Sequence, residues 1–248
     1  MDPRRQAVLE ALGVTRYVAR GAAAGEVEAS EASVAPPVDA QPPLVAAGPG
    51  GAVVLPPPAS VSGLGWEPLE QAVAACTRCG LCRSRTQTVF GTGDRAARLM
   101  VVGEAPGAEE DRQGLPFVGR AGQLLNAMLR SVGFAREQVY IANVLKCRPP
   151  KNRDPEPAEA EQCLPYLRRQ VELVAPRALL CVGRIAAQNL LGTDASLGSL
   201  RGRVLSLGAT PVVVTYHPAY LLRTPAQKRR AWDDLRLARS LVDDGHGA

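Results

Sequence analysis

From Leu64 onward, short apolar runs of strand length alternate with segments of helix length, and that alternation restricts the fold more than any other feature of the chain. The strand-like runs are "RLMVVG", "QVYIANVL", "RALLCVG" and "TPVVVTYHP". The helical segments are "GRAGQLLNAMLRSVG", "EPAEAEQCLPYLRRQVELV", "RIAAQNLLG" and "PAQKRRAWDDLRLARSLVDD". The short runs are rich in Val, Ile and Leu without clean polar alternation, as expected of strands buried on both faces. Strand–helix alternation calls for a mostly parallel sheet with helices against it. The fold class is therefore α/β, a three-layer α/β/α sandwich around a central, mostly parallel sheet. Aromatic residues make up only 4% of the chain, so the core must rest on Leu, Val, Ala and Ile.

This pattern occupies residues 63–243, followed by a short tail at 244–248. Ahead of it, residues 1–20 suit an amphipathic helical segment with Val8, Leu9, Leu12, Val14 and Val18 on one side. Residues 21–62 are Ala, Pro and Gly with few large side chains. Such a stretch buries too little apolar surface to offset its ordering entropy, and a disordered linker is expected. The N-terminal segment is then a docking element for a protein partner or a tethered arm. Residues 1–60 carry four arginines against six acids, net −2, which leaves +7 of the overall +5 balance on the remainder. A basic folded part suits a polyanion partner, although basic surfaces are often merely solvated. No apolar run reaches the length of a bilayer span, and "MDPRRQAVLEALGV" lacks the apolar core of a signal peptide. A cytoplasmic protein without membrane contact is expected, where thiols stay reduced and clustered cysteines favour metal over disulfides.

In sheets of this class ligands bind beyond the carboxyl ends of the strands. Residues that follow the strand-like runs are "GEAPG" at 103–107, Asn143 with Cys147, "GR" at 183–184, and "HP" at 217–218. Gly103 and Gly107 allow close backbone approach, but neither a dinucleotide nor an NTP phosphate-loop spacing is present. Of the carboxylates nearby, Glu104 is tied to the strand end and is the catalytic candidate. Glu109, Glu110 and Asp111 read as an acidic, solvated turn. Phe117, in "GLPFVG", reads on composition alone as a loop anchor, with base stacking as the alternative. His217 leaves a strand with its ring toward the cleft, where a hydrogen-bond donor stabilises charge on a leaving group.

Six cysteines remain. Cys76, Cys79 and Cys82 are spaced C-x2-C-x2-C, Cys147 and Cys163 follow at a wider interval, and Cys181 reads as a buried strand residue. Four of the first five suit either a tetrahedral zinc or a cubane cluster. Either would staple the basic "RPPKNRDP" loop across its base.

The stretches "GEAPGAEEDRQGLPFVGRAGQLLNAML", "NVLKCRPPKNRDPEPAEAEQC" and "TYHPAYLLR" resemble the type-4, iron–sulfur branch of the uracil-DNA glycosylases, over about residues 64–241. The resemblance implies a [4Fe–4S] cluster held by Cys76, Cys79, Cys147 and Cys163, structural in role, with Cys82 outside the set. It implies a monomer acting on uracil-containing DNA, cutting the N-glycosidic bond of a flipped deoxyuridine and leaving an abasic site. Phe117 would stack on the base, reversing the compositional preference. Asn143 would hydrogen-bond its Watson–Crick edge, and backbone from Gly103 to Ala105 would line the pocket. His217 would stabilise the departing uracil, while Glu104 would activate water, with Glu110 the weaker candidate for that role. In "AYLLR", Leu221, Leu222 and Arg223 would meet DNA.

Three rivals follow. A branch that traps uracil covalently on a histidine is disfavoured, since no His follows Cys147 in the basic stretch. A non-catalytic iron–sulfur DNA-binding module would keep the cysteines and arginines without needing Glu104 or His217. A zinc-stabilised nucleotide-binding protein lacks its phosphate loop.

Overall fold

The computed structural model of the chain describes residues 61–243; the segment expected over 1–20, the linker except its last two residues, and the tail lie outside them. Six strands form one sheet: β1 (Thr92–Gly93), β2 (Leu99–Gly103), β3 (Tyr140–Asn143), β4 (Ala178–Val182), β5 (Val204–Leu207) and β6 (Thr210–Thr215). Their order is β1-β3-β2-β4-β6-β5. The inner four run parallel, and the edges β1 and β5 are antiparallel to β3 and β6. The helices are α1 (Trp66–Ala74), α2 (Ala108–Gln113), α3 (Arg120–Ser131), α4 (Pro157–Val174), α5 (Arg184–Leu191), α6 (Leu197–Leu200), α7 (Pro218–Arg223) and α8 (Lys228–Asp243).

Alternate residues of each inner strand enter different cores, because successive side chains point to opposite faces. Met100, Val102, Ala142, Leu179, Cys181, Val212 and Val214 pack with Leu69 of α1, Leu167 and Val171 of α4 and Leu190 of α5. Leu99, Val101, Ile141, Leu180, Val182 and Val213 pack with Leu125 and Leu129 of α3, Leu221 of α7, and Leu235 and Ala238 of α8. This is the expected three-layer arrangement. Every residue of β2, β3 and β4 is buried, which explains their unbroken apolar sequence.

Three features were not anticipated. β5 is a half-exposed edge with Val204 at 45% exposure, so it carries no continuous apolar run. α7 follows directly from His217, and its turn drives Leu221 into the second core at 0% exposure. The expectation that Leu221 meets DNA is therefore withdrawn: its side chain fills the space between α3 and α8, while Leu222 and Arg223 are exposed. Asp111 is also buried, at 4% exposure, and accepts from the Thr86 amide at 2.9 Å rather than lying in a solvated turn.

The chain leaves β2 through α3, on one face, and leaves β3 through α4, on the other. The strand order also reverses at β2, with β3 on one side of it and β4 on the other, so the topological switch point where ligands bind in such sheets lies at the carboxyl end of β2.

Truncating Leu180, at 0% exposure in the second core, should cost about 2–5 kcal/mol by denaturant unfolding, while Leu222→Ala stays within about 0.5 kcal/mol.

Candidate active site

A cleft of about 440 Å³ opens at this switch point, walled by Glu104, Ala105, Phe117, Asn143, His217 and Arg223 among others. Gly103 lies beneath it, paired in register with Asn143 across β2 and β3. A Cβ on Gly103 would come within 2.7 Å of the Phe117 ring and closer still to Asn143 Oδ1. Glycine is required there because the ring and the amide both stand directly over the strand end. Of the residues expected to share one sheet edge, Glu104 to Gly107, Asn143 and His217 line this cleft, whereas Gly183 and Arg184 line a neighbouring one and Cys147 a cavity among the cysteines.

Asn143 is 2% exposed, and its Oδ1 has no hydrogen-bond partner. A buried polar atom left unpaired costs about 1–3 kcal/mol, so this oxygen is set for a donor arriving from outside the chain.

Phe117 holds a left-handed backbone, φ 53°, which a bulky residue adopts only under constraint. The constraint is visible on both sides. Arg136 donates to the Phe117 carbonyl at 3.1 Å, to the Pro116 carbonyl at 2.6 Å and to Asn126 Oδ1 at 3.0 Å. Glu110 Oε1 accepts from the Val118 and Gly119 amides at 2.9 and 3.1 Å. Glu110 is therefore committed to shaping the loop, which removes the main reason to consider it a water-activating base. Glu109 is exposed and paired with Arg112 at 2.6 Å. The Phe117 ring lies 5.8 Å from the His217 ring, tilted by 33°.

His217 is the N-cap of α7, with Pro218 at the first helical position, and its Nδ1 accepts from the Ala219 amide at 3.1 Å. An accepting Nδ1 assigns the proton of the neutral ring to Nε2. Burial, with Arg223 nearby, pushes the ring's pKa down to about 4 against the pull of Glu110. The imidazole is neutral at physiological pH.

Glu104 goes the other way. Desolvation first, then the charge of Asp154, raise its pKa to about 7, opposed by Arg184. Neither Asp154 nor Arg184 was singled out from the sequence as a modulator; their influence depends on loops meeting across the cleft. The loop bearing Asp154 is braced by Arg153, which grips Glu159 at 2.9 and 2.6 Å.

On the first face, Cys76, Cys79, Cys82, Cys147 and Cys163 line a second cavity. Arg85 donates to Cys147 Sγ at 3.1 Å, and the Lys146 amide donates to Cys163 Sγ at 3.2 Å. Burial raises the Cys147 and Cys79 thiols and pushes Cys163 up to about 12. Among the described residues no three His, Cys, Asp or Glu side chains are grouped closely enough to ligate a single metal ion. Cys181 lies apart from these five, buried in β4 as expected. Sequence reasoning passed over Arg85, Arg136 and Lys146. Of these only Lys146 left a trace, a lysine ending the run "YIANVLK", apolar apart from Asn143.

A family model described as the uracil DNA glycosylase superfamily matches residues 90–236. A type-4 uracil-DNA glycosylase of Archaeoglobus fulgidus is 43% identical over 66% of this chain and 86% of its own length. One from Thermotoga maritima is 42% identical over 71% and 94%, and one from Pyrobaculum aerophilum 41% over 68% and 90%.

Gly103→Ala should lower the melting temperature, because its Cβ would press on the clamped Phe117 ring and the buried Asn143 amide. It should lower kcat/KM by more than about tenfold, since those two side chains then occupy the ligand's place.

Proposed function

The chain belongs to the uracil DNA glycosylase superfamily, and from that premise we propose that it excises uracil from DNA in base-excision repair, hydrolysing the N-glycosidic bond. The observation that carries the substrate assignment is the buried, unpartnered Oδ1 of Asn143 beside the Phe117 and His217 rings.

A base in the duplex stack is out of reach, so it enters the cleft flipped. Phe117, held in its strained conformation, offers the face on which the base stacks. Asn143 accepts from uracil N3–H through Oδ1 and donates to O4 through its amide nitrogen. Cytosine presents an acceptor and a donor at those positions, and would leave the buried oxygen facing another acceptor.

When the C1′–N1 bond breaks, the electron pair leaves on uracil and spreads onto its carbonyl oxygens. The neutral His217 donates Nε2–H toward that charge, and needs no prior protonation to do so. The sugar cation takes water, whose proton passes to Glu104, leaving an abasic site, and the uracil anion takes a proton from solvent as it is released. Leu222 and Arg223, exposed at the rim on α7, meet the DNA, with the arginine facing phosphate.

The cysteine cavity supports a [4Fe–4S] cluster on Cys76, Cys79, Cys147 and Cys163, as the type-4 resemblance implies. Five cysteines lining one cavity without a group close enough for a single ion suit a multi-iron cluster better than one zinc. Donors onto the Cys147 and Cys163 sulfurs suit thiolate ligands. When bound, the cluster supplies a structural staple beneath the base-reading turn. Cys82 lines the same cavity outside the set. On the sequence grounds above, the catalytic unit is assigned to residues 63–243 of a cytoplasmic monomer, with residues 1–20 a partner tether. Among the described residues no helix is long and apolar enough to cross a membrane.

Release of uracil from a labelled oligonucleotide should fall about 10²-fold or more in both Asn143→Ala and His217→Ala, while DNA binding persists. Wild type that binds DNA tightly and releases no base would instead make the chain a non-catalytic module. With Glu104 as base, single-turnover excision should rise with pH as one proton leaves near 7, and Glu104→Gln should abolish that limb. Asp154→Asn should move the midpoint to lower pH, because it removes a charge that favours the protonated carboxyl.

A further inference from the structure

Lys146 is 1% exposed and among the largest fully buried side chains of the described residues, yet the mechanism above does not use it. A buried ammonium is tolerated only where its protons are placed on acceptors. Here Nζ donates to the Asn143 carbonyl at 2.8 Å and to Gln170 Oε1 at 2.6 Å. Gln170, itself 0% exposed on α4, is fixed in turn. Its Nε2 donates to the Phe90 carbonyl at 3.0 Å and to Tyr140 Oη at 3.2 Å. The Asn143 carbonyl is thereby tied, through one cation, to the helix packed beneath the sheet.

The connection matters because the Asn143 amide has so little else to orient it. Its Oδ1 has no partner within the chain, so the direction of the side chain follows the backbone at the end of β3. That backbone is held on its β2 side by the Val144 amide on the Gly103 carbonyl, 2.9 Å, and the Leu145 amide on the Glu104 carbonyl, 3.0 Å. On its α4 side the hold is Lys146 Nζ. The same residue's amide donates to Cys163 Sγ at 3.2 Å, so the base-reading turn and the cysteine cavity share a residue.

We propose that Lys146 is a positioning residue for uracil recognition, fixing the main chain that aims the Asn143 amide into the cleft. The inference rests on the assignment of Asn143 as the base reader. Lys146 does not line the cleft, and acts on the base only through Asn143.

The test measures free uracil as an inhibitor of excision by the full chain, with iron per protein and melting temperature recorded for each variant. Lys146→Met should raise the inhibition constant about tenfold, the scale of one buried carbonyl losing its partner. In an Asn143→Ala background the same change should add nothing further, because the path runs through that side chain. If Lys146→Met does not fold, Gln170→Met carries the test, since it leaves residue 146 and every cysteine in place. It should weaken uracil binding in the same direction. Asn143→Ala that leaves the inhibition constant unchanged defeats the base-reader assignment and this inference with it. Asn143→Ala that raises it, beside folded Lys146→Met or Gln170→Met proteins that do not, overturns the inference alone. A Lys146→Met protein that loses iron but keeps its uracil affinity also overturns it, by confining the lysine to the cysteines.

Discussion

Backbone pairing between β2 and β3 does not stop at the last strand residues, and the active site depends on that continuation. Gly103 and Asn143 are register partners, and the Val144 and Leu145 amides go on to donate to the Gly103 and Glu104 carbonyls. The two turns that leave the sheet for opposite faces are thus joined for a further step beyond it. A parallel sheet buried on both faces has a rigid floor there, and the crevice above it is the place where the connections part. Glu104 comes from one turn and Asn143 from the other. Phe117 is laid across the glycine between them. The spacing of Asn143, the Phe117 ring and Glu104, to which base reading, stacking and water activation are assigned by proposal, is set by hydrogen bonds of the backbone rather than by flexible loops.

Charge in the cleft is arranged in the opposite sense to an ordinary surface. The histidine is kept neutral by burial and a neighbouring arginine, and the glutamate is held close to half-protonated by desolvation and a second carboxylate. A neutral donor facing the departing base costs little to bury and still strengthens as negative charge develops. Strain is handled similarly. The left-handed backbone of Phe117 persists because Arg136 holds the carbonyls on one side and Glu110 the amides on the other. Such strain is retained where the surroundings over-determine it.

The inner strands and long helices were legible because each is an apolar run or an amphipathic segment of adequate length, and those patterns do not depend on neighbours. The strand-end residues Gly103, Glu104, Asn143 and His217 were legible for a related reason: once the strands are placed, the fold class says where ligands lie. What escaped reading depends on tertiary contacts. β5 is half-exposed and pairs only with β6, so no run of hydrophobes announces it. Leu221 and Leu222 look alike in sequence, and only the turn of α7 sends one inward and leaves the other exposed. Asp111 and Glu110 read as a solvated acidic turn because their partners are amides in remote segments. Arg136 and Lys146 act on carbonyls, which leave no mark in side-chain composition.

The central claim is that a neutral, Nε2-protonated His217 faces the departing base. The chain contains only two histidines, so nitrogen NMR of uniformly labelled protein can follow this ring against His246 without ambiguity. The account predicts a neutral ring with its proton on Nε2 throughout the neutral range, titrating only near pH 4. A ring that is cationic at pH 7, or one that carries its proton on Nδ1, would contradict it.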